Sequence, residues 1–163
     1  MNEAAPHIFV ALEGSGLGAA IRQSRYAYMA ANVGHVLSLA VFAGAVGIMD
    51  TRMAGALRAT APGQVLRLAR RFAILGFAGL VLSGAVLFTA EASHVILNPV
   101  FQIKLGLIAL GLLNVAAFEI FLAPKVRKLK PLTPLPQDVR ASGIASLIVW
   151  LCVAACGRLI AYF

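Results

Sequence analysis

The chain has 163 residues, of which 61% are hydrophobic and only 12% charged, and its net charge is +8. Soluble domains hold roughly 45–50% apolar and about 25% charged residues, so this composition belongs to the membrane class and sets nucleic-acid binding aside. The length suits one compact bundle without a second domain. The first 25 residues contain Pro6, Glu13 and several glycines and lack the continuous apolar core of a cleavable signal peptide.

Ahead of the first apolar stretch, His7 to Ser24 is moderately apolar and includes GSGLG at residues 14–18. It reads as a short helix lying in the outer membrane–water interface, leading into the bundle through Arg22, Arg25, Tyr26 and Tyr28. No strand precedes the glycines, so they carry no nucleotide-binding meaning.

A membrane-crossing helix needs about 20 mostly apolar residues, and four segments qualify, near 26–49, 72–92, 100–122 and 142–162. The expected fold is all-α: a four-transmembrane-helix bundle with a short N-terminal interfacial helix, forming one integral membrane domain over residues 1–163. Gly44 and Gly47 on the first span, with Gly76, Gly79, Ser83 and Gly84 on the second, predict a close-packed seam between these two. The segment KLKPLTPLPQD before the fourth span holds three prolines and should be irregular.

Arg52, Arg58, Arg67, Arg70 and Arg71 follow the first span, and Lys125, Arg127, Lys128, Lys130 and Arg140 follow the third. Ten of the 14 basic residues thus fall on one side. The positive-inside rule places them in the cytoplasm and both termini outside. The expected location is a bacterial inner membrane with periplasmic termini.

Ionisable groups within a membrane are costly and point to function. His35 lies nine residues into the first span, roughly 13 Å below the outer surface at about 1.5 Å per residue. Asn32 and Ser38 share its face. It reads as an axial ligand to haem iron, with copper ligation, a proton relay and a simple interhelical hydrogen bond as alternatives. His94, just after the second span, is the candidate second ligand, provided that it reaches the same level. Lys104, Arg25 and Arg158, near the same side, are candidates to pair with haem propionates; snorkelling to the headgroups is the plainer role for Lys104 and Arg158. Glu119 is expected to link to the basic loops, and Asp50 to pair with Arg52 or Arg71. Cys152 and Cys156, one turn apart, read as small apolar residues.

Several motifs carry a resemblance: Arg22-x-Ser24, His35, Asp50-x-Arg52, Ser83-Gly84 with Phe88, and Asn98-Pro99-x-Phe101-x-x-Lys104-Leu105. Over residues 12 to about 120 the chain resembles a family of small bacterial membrane proteins of unknown function. More distantly, His35 with Lys104 is similar to the copper-resistance D membrane proteins and the HemJ-type protoporphyrinogen oxidases. The latter likeness implies haem b on a helix histidine with a nearby lysine. The chain departs from it by carrying Asn114 and Glu119 where a further histidine is expected.

The leading expectation is a small cytochrome b-like protein with haem b in the outer half of the bundle, exchanging electrons with a quinone or a redox partner protein. The alternatives are a copper-handling protein using His35, Met29, Cys152 and Cys156, and a non-catalytic anchor or subunit. A homo-oligomer is compatible with each.

Overall fold

The computed structural model describes residues 5–163, and these form helices joined by turns, with no strand among them. Two short helices, α1 (His7–Glu13) and α2 (Gly16–Gln23), precede the bundle. One interfacial helix was expected; Ser15 breaks it in two, because its side chain accepts from the Gly18 N–H and so caps a new helix. Ser24 does the same for α3 (Arg25–Met53), accepting from Ala27. α4 spans Pro62–Ala90, and the four-residue α5 spans Ala92–Val95. α6 (Pro99–Ala117) runs through a π-helical turn (Phe118–Leu122) into α7 (Ala123–Val126). α8 (Gln137–Leu159) ends in a 3₁₀ turn (Ile160–Tyr162).

Four helices are long and apolar enough to cross a membrane: Arg25–Met53, Pro62–Ala90, Pro99–Val126 and Gln137–Tyr162. Each outruns the apolar window that reveals it. Arg67, Arg70 and Arg71 lie in the first turns of α4, and Arg140 in α8, although the sequence places them in loops. Long charged side chains continue a helix at low cost because their heads reach water while their stems cover apolar surface.

The side chains sort as a bilayer demands. Leu75, Leu82, Leu113 and Leu151 point outward, each about two-thirds exposed, while alanine and glycine line the inner contacts. The tightest seam joins α3 and α4, as the glycines predict. Its glycines are those of α4 alone. A Cβ added at Gly76 would lie 2.7 Å from the Phe42 backbone nitrogen; Gly79 faces Ser38 and Gly84 faces His35. Gly44 and Gly47 meet nothing and take no part in the seam. α8 packs on α3 and on α6, so the order around the bundle is α4, α3, α8, α6.

The circle does not close by packing, because α4 and α6 share no extended interface. They meet at two ties. At the end carrying both termini, the Phe88 and Phe101 rings stack with centroids 5.5 Å apart, and Phe9 of α1 caps Phe88 edge-on. At the opposite, basic end, Arg70 of α4 pairs with Glu119 of the π turn, and Glu119 also takes Arg127 at 3.2 Å. The expected link of Glu119 to the basic segments is therefore present. There the loops interlock: the Leu132 N–H donates to the Arg58 carbonyl, and Met53, Leu66, Phe118, Ala123, Val126 and Val139 form a small core.

Candidate functional site

His35 is half-buried on α3 and faces α4. Its Nδ1 lies 2.9 Å from the Ser83 Oγ. The Ser83 hydroxyl has one proton and donates it back along its own helix to the Gly79 carbonyl at 2.6 Å. With that proton on the short bond to Gly79, Ser83 accepts from His35 Nδ1–H, a tautomer that leaves the Nε2 lone pair free. A serine carbonyl-bonded within α4 thereby favours one tautomer of a histidine on α3.

The other two spans complete this cluster. Lys104 of α6 lies within electrostatic reach of His35 and beside Cys156 of α8. Its ammonium sits over Gly157, where a Cβ would come 3.4 Å from Nζ. Gly84, against the imidazole, and Gly157, against the lysine, leave room for both. Each of the four spans supplies a member: His35, Ser83, Lys104 and Cys156.

The remaining candidates stand apart from it. His94 is exposed on α5. α4 ends at Ala90, and Glu91 turns the chain, so His94 is not carried to the level of His35. Arg158 donates to the Tyr162 hydroxyl at 2.9 Å and stacks over that ring, 5.1 Å from its centroid, at the end of its own helix. Arg25 is exposed at the start of α3. Sequence reasoning overlooked Ser83 as the partner of His35; a serine in an otherwise apolar helix was the available signal.

Several motif residues turn out to be architectural. Asn98 caps α6, accepting from Val100 and Phe101, while its amide donates to the Ile160 carbonyl and ties α8 to α6. Arg22 donates to the Ala90 carbonyl at the end of α4. Glu13 accepts from the Ser93 N–H and hydroxyl and so anchors α1 to α5. Those two hydrogen bonds hold the Glu13 carboxyl below the usual carboxylate range, helped by Arg22 and His94 nearby.

Toward the basic end lies a second feature, a cavity of about 450 Å³. Phe42, Phe77 and Trp150 form its aromatic roof, with Phe42 and Trp150 edge-to-face at 4.7 Å. Asp50, Asn114, Ser142 and Ser146 supply polar atoms, and the Arg70–Glu119 pair borders it. Asn114 is spent on Ser142, whose hydroxyl donates to it at 3.1 Å. Asp50 does not form the ion pair expected of it. Arg52 turns away and donates to the Thr60 carbonyl through Nε and Nη2, at 3.2 and 3.0 Å. Residues two apart on a helix cannot face each other, so Asp50 and Arg52 point in different directions. Asp50 is only 6% exposed, and its Oδ2 has no partner.

This architecture defines a multi-pass helical membrane protein with polar groups held between its spans. The chain belongs to a family of unknown function, DUF6644, whose family model matches residues 9–163. No curated protein and no solved structure matches it. The comparisons thus lend nothing to the distant likeness to copper-resistance D proteins or HemJ-type oxidases.

Proposed function

We propose that the protein is a small membrane haemoprotein of the cytochrome b kind, in which His35 is the protein's one axial ligand. The observation that carries this reading is the hydrogen bond between His35 Nδ1 and the Ser83 hydroxyl. Metal-bound histidines nearly always commit their other ring nitrogen to a hydrogen bond, which orients the ring and raises its basicity. Ser83 does this for His35 and leaves Nε2 able to ligate. Lys104, the cation nearest to His35, would neutralise a propionate. The donor set fits single ligation rather than the bis-histidine arrangement, because His94 lies elsewhere. Haem b would supply one-electron chemistry at a potential tuned by that ligand and its apolar surroundings. The basic loops then face the cytoplasm of a bacterial inner membrane, with the termini outside.

The copper reading draws less support. Met29 and Cys152 are exposed, and among the described residues no three His, Cys, Asp or Glu side chains cluster as a metal site.

A visible spectrum of the detergent-purified protein, supplied with haem during expression, tests the proposal. A Soret band is expected that is lost in His35→Ala and retained in His94→Ala. Absence of the band, or a band indifferent to His35→Ala, overturns it and leaves a bundle without this cofactor.

A further inference from the structure

The cavity beneath the aromatic roof is separate from the His35 cluster, and three of its properties specify an occupant. The first is Asp50. A buried polar atom without a partner costs roughly 1–3 kcal/mol, and such atoms are rare enough to require an explanation. The nearby basic residues are engaged elsewhere: Arg52 with Thr60, Arg70 with Glu119. Ser146 is hydrogen-bonded to the same carboxyl, yet Oδ2 stays without a partner, so a group from outside the chain would match it.

The second property is the wall. Phe42, Phe77 and Trp150 meet at ring-centroid distances of 4.7–6.1 Å and offer flat and edge faces to a planar ring. The third is the opening. Because α4 and α6 share no extended interface, the cavity opens between them on the side where lipid would lie, with exposed Ile74 and Ala78 on one lip and exposed Leu112 and Val115 on the other. A ligand can enter sideways from lipid and leave a long apolar tail there.

We propose that this cavity binds the ring of a membrane quinone, with Asp50 as its polar anchor. A quinone suits Asp50 in either protonation state. The neutral carboxyl donates to a ring carbonyl, and the carboxylate accepts from the hydroxyl of the reduced form. A lipophilic cation satisfies only the ionised state, and an acyl chain satisfies neither. The volume of about 450 Å³ accommodates a substituted single ring with its first isoprenoid unit.

Trp150 is the chain's one tryptophan and forms part of the roof, so its fluorescence reports occupancy directly. Titrating the protein in lipid nanodiscs with decylubiquinone is expected to give saturable quenching beyond that of a single-tryptophan membrane peptide in the same nanodiscs. Asp50→Leu should weaken the apparent affinity at least tenfold. Ala78→Phe, a change on the lipid-exposed lip, should abolish saturation while leaving the fold intact. The Soret band of the haem test and the Trp150 titration are separate readouts on separate residues, so this site and the haem reading stand or fall separately. Quenching that never saturates, or saturates equally in both cavity variants, overturns the proposal. So does Asp50-dependent quenching by tetraphenylphosphonium without any by decylubiquinone, which would mark a cation site.

Discussion

The two sides of α4 are built on opposite principles. Toward α3 it presents glycine and serine, and the helices approach so closely that a single Cβ at Gly76 would strike the Phe42 backbone. Toward α6 it presents ordinary apolar side chains and is held at two points near its ends. Within a bilayer no hydrophobic force drives helices together, so contact depends on shape. The glycine side therefore packs, and the other side stays open. Polar groups follow the same division. On the packed side His35 and Ser83 satisfy each other, whereas on the open side one carboxylate oxygen of Asp50 is left without a partner.

The largest test of this contrast is steric. Gly76→Leu should cost about 3 kcal/mol, at the upper end of typical overpacking penalties, and Gly47→Leu should cost nearly nothing. Reversible unfolding in mixed micelles compares them. Equal losses would mean that the seam is not where the structure puts it.

Next come the ties of the open side. The Phe88–Phe101 stack should show a coupling of about 1 kcal/mol in a double-alanine cycle. The partly exposed Arg70–Glu119 pair should show about 0.5 kcal/mol or less. Breaking either one should increase spin-label distances between α4 and α6, while those between α3 and α4 stay fixed. The reverse pattern would erase the distinction between the two sides.

The smallest effect concerns pH. Glu13 binds its proton more weakly folded than unfolded, so its contact with Ser93 contributes fully above the unfolded carboxylate value. It is lost as pH falls through the lower folded value. The protection factors of amides in α1 and α5, taken relative to intrinsic exchange at each pH, should fall under acid in the native protein and stay constant in Glu13→Gln. A loss of protection under acid that persists in the variant would remove Glu13 from the account.

Much of this was legible in the sequence. Hydropathy located four spans because about 20 apolar residues leave few alternatives, and the glycines of α4 marked the tight seam. Helix ends were less legible, since Arg67, Arg70 and Arg140 interrupt an apolar window without interrupting a helix. The break at Ser15 carried a signal, a capping residue among glycines. The supposed Asp50–Arg52 pair could have been dismissed from helix geometry, but the partner of His35 could not have been named. Which of several serines faces a given histidine depends on the rotation of two helices, and pairwise spacing within one chain segment does not encode it.

The π turn at Phe118–Leu122 has a consequence for how relatives are compared. There the Ala123 N–H reaches back five residues, to Phe118. Such a turn holds one residue more than an α-helix needs to cover the same rise. A homologue lacking one codon in this stretch could close the turn into a regular α-helix and keep all four spans and both loops in place, re-aiming only the residues within the turn. Glu119 is one of those residues, so its tie to Arg70 is the contact such a deletion puts at stake. A one-residue gap inside a membrane span usually signals a faulty alignment; at this position it would signal a change to one of the two fastenings on the bundle's open side.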